Sequence, residues 1–205
     1  MVVSNDEPTR SERKRQAILE AAQAAFLVHG YDRTTMDDVA ARAAVSKQTV
    51  YKHFSDKQSL FTAVITGEIE ETEALTTDLV SGLGASDDLE RDLLRFARRH
   101  VEEVLQPHIV QLRRIVIAES ERFPDLARTW YSRGPEQAHA ALAEQLSQLA
   151  TRGLLAVPDP LAAAETLNWL ILAAPLTRAT FNLPTPNLKA HTTESIRIFL
   201  TAHAP

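Results

Sequence analysis

The sequence predicts an all-α protein in two parts, a three-helix helix-turn-helix domain followed by a larger helical domain. Three observations carry that prediction. Apolar residues recur at helical spacing along nearly the whole chain, with no sustained period-two run and no hairpin turn signal. Cap residues and breakers punctuate those runs: Thr35, Ser46 and Asp159-Pro160 ahead of them, Gly30 and Gly153 behind. The stretch from Thr35 to Lys57 holds two short amphipathic runs with only Ala44-Val45 between them, the spacing of two short helices set at a wide angle.

Bulk properties bound the possibilities. At 205 residues, 44% hydrophobic and 24% charged, the chain has room for one large or two small domains with a buried core. It has no cysteine, which excludes disulfides, thiolate zinc sites and cysteine nucleophiles. Residues 1–16 are polar without an apolar centre, so no signal peptide is expected. The most apolar run, Trp169 to Leu176, is too short for a bilayer and is broken by Pro175. A cytoplasmic protein with no membrane association is therefore expected. The net charge of −5 is unevenly spread: residues 1–58 hold nine Lys/Arg against eight Asp/Glu, and the remainder thirteen against nineteen. The acidity lies outside the N-terminal part, where Arg10, Arg13, Lys14 and Arg15 form one basic cluster and Lys47, Lys52 and Lys57 another.

In chain order, residues 1–9 lack any period and read as a disordered tail. Helix one spans about Ser11 to His29, with Ile18, Ala21, Ala22, Ala25 and Phe26 as its buried stripe and Gly30 as its C-cap. Thr35 caps the second helix with Asp38 three residues on, and Met36, Val39, Ala40 and Ala43 share a face. Ser46 caps the third, whose Val50 and Phe54 point inward together. The outward residues of that helix suit nucleic acid: Lys47, Gln48 and Thr49 can read base edges, while Tyr51, Lys52 and His53 can meet phosphate. Lys57 opens the fourth helix near further free N–H groups. That helix begins near Ser55-Asp56 and reaches about Leu79, long enough to link two domains.

After the break at Ser81–Asp87, Ser86 is expected to cap a helix carrying Leu89, Leu93, Phe96, Ala97, Val101 and Val104. Pro107 ends it. Residues 108–121 are apolar nearly all round and are expected to be deeply buried. A short helix covers Asp125–Arg133, with a kink at Gly134-Pro135. A further helix runs to Gly153. Asp159-Pro160 opens one to about Leu176, and Thr185-Pro186 opens the last, through Ile196, Phe199 and Leu200.

Residues 13–65 resemble the DNA-binding domain of the TetR/AcrR family of bacterial transcriptional regulators. The resemblance rests on Ile18-Leu-Glu-Ala-Ala-x-x-x-Phe26, Gly30-Tyr31, Thr34-Thr35, Val39-Ala40, Ala43-x-Val45-Ser46, Val50-Tyr51-x-His53-Phe54 and Lys57-x-x-Leu60. Ala44 departs from it, since the family usually has Gly there. A left-handed backbone at that point would cost Ala about 1 kcal/mol. The resemblance implies a helix-turn-helix domain at 10–58 and a helical effector-binding and dimerisation domain at 59–205. It implies a homodimeric regulator, a repressor, that binds a palindromic double-stranded operator and is released by a small-molecule effector. It also adds Thr34 and Thr35 as phosphate contacts, so the candidate DNA-binding set is Thr34, Thr35, Ser46, Lys47, Gln48, Thr49, Tyr51, Lys52, His53 and Lys57. Glu119-x-Glu-Arg-Phe-Pro-Asp-Leu-Ala-Arg128 with Asp159-Pro160 is similar to one regulator subgroup.

Within the second domain, Phe96, His100, Arg113, Arg114, Trp130 and Trp169 are the candidate ligand-binding residues. An arginine at 113 or 114 pointing inward without a carboxylate such as Glu103 or Glu119 would imply an acidic effector. For the aromatic residues, Tyr131 and Phe181 included, core packing is the simpler expectation. The helix from Leu161 to Leu176 is too apolar to leave a face in water. Leu161, Leu167, Leu170, Ile171 and Ala174, with Ile196 and Phe199, are the candidate dimer interface.

Two rival classes fit the sequence less well. An enzyme would need chemistry that is hard to find: there is no Walker loop, Gly-x-Gly-x-x-Gly or Gly-x-Ser-x-Gly. One Glu136-x-x-His139 pair falls short of a di-iron set and is expected on a solvated face, so no metal, cofactor or catalytic residue is expected. A helical interaction module would leave Lys47-Gln48-Thr49 unexplained.

Overall fold

The computed structural model describes residues 9–205, and every regular element in them is helical. The elements are α1 (Arg10–Arg33), α2 (Met36–Arg42), α3 (Lys47–His53), α4 (Lys57–Val80), a 3-10 turn (Leu83–Ala85), α5 (Leu89–Val104) and α6 (Pro107–Ala118). They continue with α7 (Pro124–Tyr131), a π-helical turn (Ser132–Glu136), α8 (Gln137–Thr151), α9 (Pro160–Thr180) and α10 (Leu188–Ala202).

The chain forms two compact units that divide inside α4, after Glu68. The sequence expectation put the boundary at residue 58. The first turns of α4 belong to the N-terminal unit because their side chains complete its core. Phe61 packs edge-on against Phe26 and Tyr31 at 5.1 and 5.0 Å between ring centroids. Gln23 also donates from Nε2 to the Glu68 carboxylate at 2.9 Å. Ile18, Ala22, Val39, Val50, Leu60 and Ile65 are fully buried in this unit.

The tail expected at 1–9 falls, for residues 1–8, outside the described residues. Thr9 is part of the fold: its Oγ1 accepts from the Glu12 N–H at 3.2 Å, and Glu12 accepts from the Thr9 N–H at 2.6 Å. This capping box starts α1 earlier than Ser11. Gly30, at φ 73° and ψ −179°, kinks α1 where the sequence placed its C-cap, but the helix resumes to Arg33 and Thr34 is its C-cap.

The second unit is built on the buried faces of α5, α8, α9 and α10, with Leu93, Ala97, Val101, Leu146, Leu149, Leu167 and Phe199 at its centre. Several boundaries differ from expectation. Asp88, not Ser86, caps α5, through its carboxylate and the Arg91 N–H. Ser86 is buried and donates to Asp92 at 2.7 Å. Asn187, not Thr185, caps α10. Helix α6 is not deeply buried: Val110, Leu112 and Val116 face inward, and Ile117 is 55% exposed.

Helix α9 continues through Pro175 to Thr180 instead of stopping near Leu176. Proline at 175 leaves the Ile171 carbonyl without its usual helical donor. His191 on α10 supplies one, donating from Nε2 to Ile171 O at 2.9 Å. The substitution of a side-chain donor for a backbone one is why the helix runs on.

Candidate DNA-reading surface and ligand cavity

The helix-turn-helix is fixed by short-range bonds. Thr35 Oγ1 accepts from the Asp38 N–H at 3.1 Å, and the Asp38 carboxylate accepts from the Thr35 N–H at 3.2 Å and its hydroxyl at 2.6 Å. Those bonds hold the Asp38 carboxyl below the usual carboxylate range. At the far end of α2, the Ala44 N–H bonds Ala41 O at 3.2 Å and the Val45 N–H bonds Ala40 O at 3.1 Å. This is the Schellman pairing, with Ala44 in its left-handed position at φ 52°. Ser46 then caps α3 by accepting from the Thr49 N–H at 3.2 Å, and the Ser46 and Thr49 hydroxyls lie 2.8 Å apart.

Val50, fully buried, and Phe54 anchor α3 from below. The Arg15 guanidinium lies over the Phe54 ring at 5.4 Å. Opposite this anchor, Ser46, Lys47, Gln48, Tyr51 and Lys52 are exposed, while Thr49 and His53 are half-buried. Tyr51 presents 45% of its surface. Lys47 is held to Asp37 on α2 at 2.8 Å, a partner the sequence reading missed, and this contact raises its pKa. Both side chains are solvent-exposed, so the pair is weak enough for another anion to displace.

Two members of the expected set are placed differently. Thr34 is 1% exposed, and its hydroxyl donates to Gly30 O at 2.8 Å. Its side chain closes the end of α1 and does not reach the surface, so it is withdrawn as a phosphate contact. Lys57 donates from Nζ to the carbonyls of Tyr31 and Asp32 at 2.9 and 3.0 Å and sits 4.4 Å from the Tyr31 ring centroid. Its charge pins the last turn of α1, beyond the kink at Gly30.

In the second unit a cavity of about 110 Å³ opens among the helices. Helix α4 contributes Ile69, Thr72 and Thr76, and α5 and α6 contribute His100, Val104, Ile109 and Arg113. Trp130, Gly134 and Pro135 close another side, and Asn168, Trp169, Leu172 and Leu176 of α9 close the last. A smaller void of about 10 Å³ adjoins it and shares Thr76, His100, Ala138 and Asn168. Buried His100 is hydrogen-bonded through Nε2 to Asn168 Oδ1 at 2.9 Å, and its ring stacks on Phe96 at 5.4 Å. Burial, outweighing the Asn168 bond, lowers the His100 pKa.

Of the expected ligand-binding residues, His100, Arg113, Trp130 and Trp169 come together here, and Phe96 borders the smaller void. Arg114 does not join them. It donates to the carbonyls of Ala179 and Thr180 and to Asn182 Oδ1, closing the C-terminus of α9. His139, expected on a solvated face, is 3% exposed beside the smaller void, whereas Glu136 is exposed. Asn168 was also missed, although a lone amide in an apolar run was its signal. Tyr131, Trp169 and Phe181 are 49, 44 and 71% exposed, so core packing does not describe them.

The candidate interface residues also divide. Leu167, Ile171, Ile196 and Phe199 are at most 1% exposed and lie in the chain's own core, so a partner cannot reach them. The apolar face of α9 is satisfied within the chain by α8 and α10. Leu161 and Ala174 are exposed and Leu170 is half-buried.

The helix-turn-helix geometry, joined to a second helical unit, defines a class, the helix-turn-helix DNA-binding proteins, and comparison with known proteins places the chain within it. Residues 18–64 match the family model described as bacterial regulatory proteins, tetR family. Residues 91–205 match that of the AefR-like transcriptional repressor, C-terminal domain. The chain belongs to the TetR family of transcriptional regulators. It is 35% identical to a TetR-family transcriptional regulator of known structure from Mesorhizobium loti, covering 96% of this chain and all of that one at a TM-score of 0.89. The flavonoid-responsive regulator FrrA is 30% identical over 94% of this chain and 98% of its own, at a TM-score of 0.76. A DNA-binding transcriptional repressor TetR from Mycobacteroides abscessus is 37% identical over 82 residues, 37% of this chain and 43% of that protein. The chain spans about half or less of the length of the curated relatives it matches.

Proposed function

We propose that the protein is a homodimeric transcriptional repressor that binds a palindromic operator through α3 and is released when a small molecule occupies the cavity. The observation that carries this reading is the two-sided build of α3. Val50 and Phe54 fix one side in the core, while Gln48, Tyr51 and Lys52 stand exposed on the other beside Lys47, which an exposed ion pair ties to Asp37. A helix so mounted suits a major groove, with Gln48 able to bridge an adenine edge and Tyr51 and Lys52 able to hold phosphate. Repression, in place of activation, is favoured by the descriptions of the C-terminal family model and of the Mycobacteroides relative. FrrA, named for its response to flavonoids, supports a small organic effector.

Release runs through α4 in this reading. Its first turns carry Leu60 and Phe61 of the N-terminal core, and its later turns carry Ile69, Thr72 and Thr76 of the cavity wall. Arg133 of the π-helical turn grips Glu73 of α4 with two bonds at 2.7 and 2.8 Å, next to cavity residues Gly134 and Pro135. A ligand that moves that turn therefore moves α4, and would shift the population away from the DNA-competent packing. Dimerisation is assigned to the outer faces of α9 and α10, where Leu161, Ala174 and Ile198 are exposed. As a DNA-binding regulator the protein would work in the cytoplasm.

Selection of bound fragments from random duplex DNA, with sedimentation of the protein, tests this. The expected result is a dimer and a two-fold symmetric winning sequence, with half-sites about one helical turn apart or somewhat more. A monomer, or enrichment of no sequence, would sink it.

A further inference from the structure

The cavity contains one cation whose charge no neighbouring group of the fold answers. Arg114, its neighbour on α6, is satisfied by α9 carbonyls, and Arg133 by Glu73. Arg113 is half-buried, lines the cavity, and has no hydrogen bond or ion pair among the described residues. Among the described residues, no aspartate or glutamate lines the cavity or the void beside it. Burial pushes the Arg113 guanidinium below the usual arginine range, with the Tyr131 phenol as a lesser, opposing influence. A guanidinium does not shed its proton at neutral pH, so it remains a partly desolvated charge without a counterion.

The rest of the wall is apolar, with Ile109, Trp130, Trp169 and Leu172 around it. Beside the adjoining void His139 is 3% exposed, and its Nε2 has no hydrogen-bond partner among the described residues.

From this geometry we propose that the effector is an organic carboxylate with an apolar body, its carboxylate on the Arg113 fork and its body between Trp130 and Trp169. The planar, two-pronged donor of arginine matches a carboxylate in a way a lysine cannot. The inference rests on the cavity being the effector site proposed above. Either an aryl or an alkyl body would satisfy the walls.

The chain has two tryptophans, and both line the cavity, so intrinsic fluorescence reports occupancy directly. The full-length protein is titrated with 3-phenylpropanoate, 3-phenylpropanamide and hexanoate, excited at the red edge of tryptophan absorption where the probes are transparent. Arg113→Met and Arg113→Lys are titrated alongside. The expected result is that 3-phenylpropanoate binds at least ~10-fold tighter than its amide, the scale of a charge-assisted hydrogen bond. The preference should vanish in Arg113→Met and persist in part in Arg113→Lys. The ratio of 3-phenylpropanoate to hexanoate then says which body the walls favour. Equal binding of acid and amide in the wild type, or a preference surviving in Arg113→Met, overturns the carboxylate assignment and leaves the cavity as a neutral-ligand site. Binding of none of the three overturns the assignment of the cavity as the effector site as well. Should Arg113→Met fail to fold by circular dichroism, the acid-to-amide ratio in wild type and Arg113→Lys decides alone.

Discussion

Ala44 stands at φ 52° in the turn between α2 and α3, where its Cβ crowds the carbonyl that follows. Ala44→Gly removes that crowding but loosens the unfolded chain, which opposes part of the gain. A net stabilisation of about 0.5–1 kcal/mol is expected, read as a rise in urea midpoint at unchanged slope. An unchanged or lowered midpoint would show that the strain at Ala44 does not exceed the entropy cost of glycine there. This position was legible in the sequence because the cap pattern around it is local: Thr35 with Asp38, and Ser46 with Thr49, are each three residues apart. Lys57 and Arg114 were not legible in the same way. Their polar ends meet backbone carbonyls whose position only the folded chain supplies, 26 residues away for Lys57 and Tyr31.

At the scale of elements, the starts of α2, α3 and α9 stand at the caps read in the sequence, whereas those of α1, α5 and α10 fall at other caps nearby. Asp159 with Pro160 opens α9 as expected, its carboxylate accepting from the Ala162 N–H at 3.1 Å. The continuation past Pro175 depends on His191 of α10, which no property of α9 itself announces. That dependence gives a double-mutant cycle. His191→Phe leaves the Ile171 carbonyl unsatisfied and is expected to cost about 1–3 kcal/mol. In a Pro175→Ala background the restored backbone N–H takes the carbonyl, and the same change should cost clearly less. Equal costs in the two backgrounds, measured by urea unfolding, would show that the bond does not compensate the proline. The apolar content of α9 misled in another respect. It pointed to a partner helix in a second copy, whereas Leu167 and Ile171 are covered within the chain, and only the short path from α9 to α8 and α10 decides that.

For the whole molecule, the all-helical class followed from periodicity and the two-part plan from the resemblance of residues 13–65, while the division at Glu68 required the aromatic cluster of Phe26, Tyr31 and Phe61. The cavity was legible only in outline, because residues from six helices and a π-helical turn converge on it. Its buried histidines have a global consequence. Burial depresses the pKa of both His100 and His139, so between their lowered folded values and the ordinary value near 6.5 the unfolded chain binds more protons. Stability is therefore complete above about pH 6.5 and falls as pH drops through that window. The urea midpoint should be lower at about pH 5.5 than at about pH 7.5, and replacing both histidines with glutamine should flatten the difference. A midpoint that holds steady or rises on acidification would contradict the buried neutral state.

The central claim is that α3 reads DNA bases from a phosphate-anchored mount. The measurement that tests it most directly is anisotropy titration of wild type, Gln48→Ala and Tyr51→Phe on the selected symmetric duplex, its single-base variants and a scrambled duplex. Wild type should prefer the selected duplex over the scrambled one by at least ~10³-fold. Gln48→Ala should lose discrimination at one or two symmetry-related positions, and Tyr51→Phe should weaken binding alike on every sequence. Unchanged discrimination in Gln48→Ala, with Tyr51→Phe indistinguishable from wild type, would mean that another surface of the protein meets the DNA.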